Sequence, residues 1–243
     1  MMPIAVIDFE TTGSSPGQGA RATEIAAVLV DEGRIVGHYQ SLMNSGAWVP
    51  PFIEQLTGIS NAMLADAPPA QAVMREVLRF TAGCPLVAHN AAFDRGFWQA
   101  ETERAGCERD PAHVFACTVR LSRRLHPQAP NHRLGTLAAW HRLPDTGRAH
   151  RALADATTAA HLLLRQQQDL ADRLGLASAG LADHRWLCTA QAWPVARVER
   201  ACRGGGGGRA AGARGAGARG APAAGRQLRG PRRRPAAAAS IGA

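Results

Sequence analysis

The chain has 243 residues and no lysine; all 28 of its strongly basic residues are arginine, and tyrosine occurs once. With Ala, Gly, Arg and Pro so abundant, this bias reads as high-GC coding rather than a chemical requirement. Cysteine is scarce and scattered, at positions 84, 107, 117, 188 and 202. An odd number without metal-ligand spacing excludes a disulfide framework and a cysteine-zinc module, and is expected to leave free thiols in a reducing compartment. No apolar run approaches the roughly 18 residues that cross a bilayer. The opening Met-Met-Pro-Ile-Ala-Val-Ile-Asp lacks a basic region and meets a carboxylate within one short strand, so no signal peptide is expected there. These absences predict a cytoplasmic protein with no membrane partner.

Acidic residues are missing altogether from one segment. Residues 203–243 hold nine Arg and no Asp or Glu, while residues 1–202 hold 19 Arg against 19 acidic residues. The net charge of +9 therefore belongs to the tail, and the pI of 10.9 says little about what the near-neutral body binds. The tail opens on Arg203 and five glycines and continues in Ala-Gly-Ala-Arg patterns, Arg232-Arg-Arg234 and an alanine run. Nothing in it can build a core, and disorder is the expectation. Two readings of it stand: acid-free arginine that holds nucleic acid loosely and in a salt-dependent way, or the product of a shifted reading frame in GC-rich DNA with no selected role. The expected organisation is one domain over 1–174, a segment 175–202 with Trp186 and Trp193 readable as a small helical extension, and the tail 203–243.

What the body does have is carboxylate in apolar places. Asp8 and Glu10 interrupt the run Ile4-Ala-Val-Ile-Asp-Phe-Glu-Thr-Thr-Gly13. Side chains two apart on a strand share a face, so both carboxylates leave the end of one strand in the same direction. Like charges this close repel, and the arrangement is costly unless a cation sits between them. Asp94 ends His89-Asn-Ala-Ala-Phe-Asp94, and Asp155 ends His150-Arg-Ala-Leu-Ala-Asp155. Hard oxygen ligands with no cysteine cluster nearby point to magnesium or manganese. His150 and Asp155 stand roughly 140° apart around a helix axis at about 100° per residue, so His150 is expected in the loop or at the first helical residue, with Asp155 one turn on.

Hydrophobic patterning predicts strands at 3–10, 24–30 and 34–43 as an antiparallel meander, then strands at 86–88 and 113–117. Helices are predicted near 52–56, 69–82, 90–105, 118–125, 134–141 and 151–172, with Asn90 as the cap of the third. In the last of these, Leu153, Ala156, Ala160, Leu163 and Leu164 are expected to face the sheet. Meander followed by alternation gives an α/β class with a mixed five-stranded sheet flanked by helices. In such sheets the ligand site lies beyond the strand ends, where Asp8, Glu10 and Asp94 would meet.

Over residues 4 to about 168 these segments resemble the DEDDh 3′-to-5′ exonucleases, the family of the bacterial DNA polymerase III epsilon subunit. Asp8 and Glu10 match its first motif, Asp94 its second, and His150 with Asp155 its third. Pro51-Phe-Ile-Glu-Gln-Leu-Thr-Gly-Ile59 and Asn131-His-Arg-Leu-Gly-Thr-Leu-Ala138 also look like family segments. The resemblance implies a ribonuclease H-like fold and removal of nucleotides from a 3′ end.

On this basis Asp8, Glu10, Asp94 and Asp155 would hold two Mg²⁺ or Mn²⁺ ions, which activate water and stabilise the leaving 3′ oxygen. His150 would take the water's proton, and nucleoside 5′-monophosphates would leave. Thr11, Thr12 and Gly13 are candidate contacts to the 3′ nucleotide. Phe93 and Phe97 are candidates to stack on a base, with ordinary core the competing role. Asn90 is a candidate substrate contact, weighed against its role as a cap. Arg120, Arg123, Arg124 and Arg133 form a basic patch that either contacts phosphates or is a solvated helix face. The expected substrate is single-stranded DNA 3′ ends, for a free-standing enzyme or a polymerase-bound proofreading subunit. The alternatives are an exoribonuclease trimming RNA and a non-catalytic nucleic-acid-binding or polymerase-associated subunit.

Overall fold

Alternation along the first strand sets the architecture. In β1 (Ile4–Thr11), Ile4 and Val6 enter one apolar cluster and Ala5, Ile7 and Phe9 enter another, so the strand is covered on both faces and must be central. The computed structural model describes residues 2–174 and 184–192. β2 (Ala22–Asp31) and β3 (Arg34–Leu42) complete the antiparallel meander, joined by Glu32 and Gly33, both at positive φ as a two-residue hairpin turn requires. The short helices α1 (Pro51–Thr57) and α2 (Asn61–Ala65) follow, around a small core of Val49, Ile53, Ile59 and Leu64. α3 (Ala70–Phe80) leads to β4 (Leu86–Ala88), and α4 (Ala92–Arg104) to β5 (Phe115–Cys117). Both strands run parallel to β1, which gives a mixed five-stranded sheet in the order β3-β2-β1-β4-β5.

Helices cover both faces. α3 and α4 lie on one, through Val73, Met74, Val77, Phe97 and Trp98. On the other lie α5 (Thr118–Leu125), α7 (Ala152–Leu174) and α8 (His184–Ala190); α6 (Leu134–His141) leans on α7. The fold class expected from the sequence is the one observed.

Several details differ. The stripe of α7 on the sheet is Ala152, Ala156, Ala159, Ala160 and Leu163, while Leu153 and Leu164 are only partly buried. Alanine lets the helix approach β1 and β2 closely. Asn90 is not the cap of α4: that position is Ala91, with no side-chain hydrogen bond. Asn90 instead adopts φ 63°, a left-handed turn that asparagine tolerates, and its carbonyl accepts the Phe93 N–H at 3.0 Å. β5 begins at Phe115 rather than 113, because His113 turns away to donate to the Thr81 carbonyl at 3.1 Å. Phe97 is core, fully buried and in contact with Phe9 and Phe93. The extension expected over 175–202 is seen only as α8, which contains Trp186; Trp193 and the tail 203–243 lie outside the described residues. Among the described residues no helix is long and apolar enough to cross a membrane.

Phe97 joins β1 to α4, the helix that carries Asp94. Phe97→Ala is expected to cost about 3–5 kcal/mol of stability, read as a lower urea midpoint with an unchanged slope.

Candidate active site

Four carboxylates meet at the carboxyl end of β1. Period two places Asp8 and Glu10 on the same side as Ile4 and Val6, facing the first turns of α7. Asp94 arrives from the first turn of α4. Its Oδ1 accepts the main-chain N–H of Phe9 at 3.2 Å, so it is pinned between the other two. Asp155 arrives from the first turn of α7, and its Oδ2 accepts the His150 N–H at 3.0 Å. His150 itself is exposed in the loop before α7, at φ 61°. One ligand atom from each of Glu10, His150 and Asp155 lies within 4.8 Å of the other two.

What holds α7 in this position is a fifth carboxylate that sequence reasoning did not single out. Glu24, fully buried on β2 directly opposite Glu10, receives Arg151 through Nε at 3.1 Å and Nη2 at 2.8 Å, the Ala152 N–H at 3.0 Å and Gln40 at 2.7 Å. Glu101, also buried, does the same for α4: Arg21 binds it in two places, at 2.8 and 3.0 Å, and Arg104 at 3.0 Å. The only advance signal of Glu24 was a carboxylate opening the apolar run 25–30.

Charge separates the two groups. Burial would raise Glu24, but its hydrogen bonds to Arg151, Ala152 and Gln40 outweigh that and hold it below the usual carboxylate range. Burial followed by repulsion from Asp94, Glu10 and Asp155 pushes Asp8 well above that range. Glu10 is driven to about 8 by burial and then by Asp155 and Glu24, and Asp94 to about 8 by burial. Asp155 is raised by burial as well. Hard oxygen donors that repel one another, with the nearest arginine committed to Glu24, fit divalent cations such as Mg²⁺ or Mn²⁺.

Asp8, Glu10 and Asp155 floor a cleft of about 780 Å³, in the size range of small-ligand sites. Thr11, Thr12 and Gly13 form one rim, and Phe93 reaches it from α4. The Thr12 amide is spent on the Arg21 carbonyl at 2.9 Å, so it is no free donor. Asn90 is exposed and lies outside the lining, which does not place it with the other expected contacts. Phe52 and Leu56, 66% and 46% exposed, were missed and do line the cleft. Their signal was an i,i+4 apolar pair on α1 beside the buried Ile53. His89 is structural: Nε2 donates to the His132 carbonyl at 3.1 Å, Nδ1 meets the Thr118 hydroxyl at 2.8 Å, and burial lowers its pKa to about 4.

The sequence model of the RNase T family, described as exonuclease, matches residues 5–163. The chain belongs to this exonuclease family. It is a DEDDh-type 3′-to-5′ exonuclease, related to DNA polymerase III epsilon and PolC-type members. The 3′-5′ exonuclease DinG of Bacillus subtilis is 39% identical over 159 residues, 65% of this chain and 17% of that protein. DNA polymerase III PolC-type of Bacillus cereus is 35% identical over 168 residues, 69% of this chain and 12% of the polymerase. The chain thus spans a small part of these relatives. Among solved structures, Exonuclease X in complex with 5′ overhanging duplex DNA superposes with TM-score 0.55 at 28% identity, covering 74% of this chain and 98% of that one. The nuclease domain of 3′hExo, a DEDDh family member bound to rAMP, has TM-score 0.59 at 20% identity, covers 69% and 92%, and supports the fold.

Glu10 and Asp94 hold protons more tightly folded, up to about 8, than in the unfolded chain, so stability falls as pH rises from the ordinary carboxylate range to about 8. In chelator, Tm is expected to fall between about pH 5 and 8.5, with Mg²⁺ restoring it chiefly at the alkaline end. A metal-free Tm that rises across that range would contradict this. Arg151→Met strands the Glu24 carboxylate and is expected to cost about 3 kcal/mol in denaturant titration, toward the low end for a buried pair because the guanidinium is partly exposed.

Proposed function

We propose that this exonuclease removes nucleotides one at a time from the 3′ ends of single-stranded DNA, releasing nucleoside 5′-monophosphates in a proofreading-type reaction. The observation that carries the reading is the convergence of Glu10, Asp155 and His150 within 4.8 Å on the floor of an open cleft, with Asp8 and Asp94 beside them. The exonuclease and polymerase relatives support DNA as substrate.

The terminal nucleotide would enter between the Phe52 and Leu56 wall and the Thr11 to Gly13 rim, with Phe93 available to its base. Asp8, Glu10, Asp94 and Asp155 would hold two divalent ions, Mg²⁺ or Mn²⁺. Bound there, such ions supply Lewis-acid stabilisation of the charge that develops at the scissile phosphate. His150, exposed above Asp155, is free to take the proton of the attacking water. The Asp155 carboxylate fixes the His150 main chain through its amide and so restrains where the imidazole can reach.

The test is hydrolysis of matched 5′-labelled DNA and RNA oligonucleotides with Mg²⁺ or Mn²⁺. A metal-dependent ladder shortening from the 3′ end, faster on DNA and abolished by chelator or Asp8→Ala, is expected. His150→Ala should lower kcat about 10²–10⁴-fold, while Phe52→Ala should act mainly on KM. A faster RNA ladder would reassign the enzyme to RNA trimming. No cleavage of either strand by folded, metal-loaded protein would overturn the free-standing enzyme in favour of a partner-dependent or binding-only subunit.

A further inference from the structure

We propose that His126, His141 and Asp169 form a second metal site, separate from the nuclease centre, that takes one zinc-class ion and staples the ends of α5 and α6 to α7. His126 is the residue that caps the C-terminus of α5, His141 is the last residue of α6, and Asp169 lies far along α7. One imidazole nitrogen from each histidine and one Asp169 oxygen lie within 4.8 Å of one another, and none of the three residues lines the catalytic cleft. His126 Nε2, His141 Nε2 and Asp169 Oδ2 are all buried; His141 Nε2 has no hydrogen-bond partner, and the other two meet only each other, at 3.0 Å. His126 and Asp169 are 3% and 8% exposed.

An ordinary ion pair explains this poorly. The 3.0 Å approach of His126 Nε2 to Asp169 Oδ2 serves only that pair and leaves His141 Nε2 orphaned in the interior. A buried unsatisfied polar atom is costly, and a single cation held among the three residues would answer for it. The surroundings orient the set. Arg165 Nε occupies the other Asp169 oxygen at 2.9 Å, which turns Oδ2 toward the imidazoles. Trp140 packs edge-on against both rings, with centroids 5.2 and 4.5 Å away, and holds their planes. Two imidazoles and one carboxylate suit Zn²⁺, with water in the fourth position; Mg²⁺ and Mn²⁺ favour all-oxygen sets like that of the nuclease centre.

The test uses the full chain carrying Asp8→Ala and Asp155→Ala, so that the nuclease centre is disabled, with Mg²⁺ present throughout. After exposure to Zn²⁺ and dialysis, elemental analysis is expected to find one zinc per chain, and Zn²⁺ at about a hundredfold over Kd is expected to raise Tm by roughly 5–10 °C. Co²⁺ in its place should give the visible absorption of a four-coordinate site. Adding His141→Gln or Asp169→Asn should abolish all three signals while circular dichroism stays that of the folded protein. Zinc content near zero in the Asp8→Ala/Asp155→Ala protein would overturn the proposal with no third substitution needed. So would zinc retention and Tm shift left unchanged by both His141→Gln and Asp169→Asn.

Discussion

The structure depends on one electrostatic constraint: four carboxylates are brought into a single corner where the one nearby arginine, Arg151, is already bound to Glu24. The chain shows by contrast how it treats a carboxylate whose job is to hold the fold. Glu10 and Glu24 face each other across the β1–β2 ladder. Glu24 is given Arg151, Gln40 and a main-chain amide and stays easily ionised; Glu10, buried and repelled by Asp155 and Glu24, feels Arg151 only weakly and holds a proton up to about 8. Two glutamates in register, a few ångströms apart, are driven in opposite directions by their partners alone. Arginine is supplied to Glu24 and Glu101 and kept from Asp8, and that difference separates scaffold from chemistry.

Delivering four carboxylates to one point takes three elements with different geometry. β1 contributes two by period-two alternation, and being central it cannot shift without moving both apolar clusters. α4 contributes Asp94 through its first turn, and its distance from β1 is set by Phe97, Trp98 and the Glu101 pairs at its far end. α7 contributes Asp155 along an alanine face that lets helix and strand backbones draw close. A bulkier residue at Ala152 or Ala156 would push the helix away and open the site, so small side chains here are a requirement of distance.

Much of this could be read from the chain because it is local. The alternation of β1, the apolar triplet 86–88 and the His150 to Asp155 spacing each speak within a few residues, and each landed where the pattern put it. What stayed hidden is long-range or conformational. Glu24 and Arg151 are 127 positions apart and Arg21 and Glu101 are 80 apart, and neither pair carries a local mark. His126, His141 and Asp169 come together only because α5, α6 and α7 pack as they do. Asn90 looked like a cap because asparagine favours caps, yet the same side chain also tolerates the left-handed turn it occupies. Phe52 and Leu56 carry no mark that separates a cleft wall from core, and only the fold shows them exposed.

The loop of residues 142–151 joins these themes. His150 is exposed and holds a left-handed backbone that costs a non-glycine residue about 1 kcal/mol or more. That cost is met locally, because the conformation turns the His150 amide onto Asp155 while keeping the imidazole over the same carboxylate. The loop is tied at its exit by Arg151 and Ala152 on Glu24, and in its middle by the Thr146 hydroxyl, which meets Thr158 at 2.6 Å and the Ala154 carbonyl at 3.0 Å. Its entry follows His141, which meets His126 and Asp169 in a buried cluster. A general base must be exposed to meet water and substrate and yet keep its position. Here exposure belongs to the side chain, and position is supplied by main-chain anchors on either side.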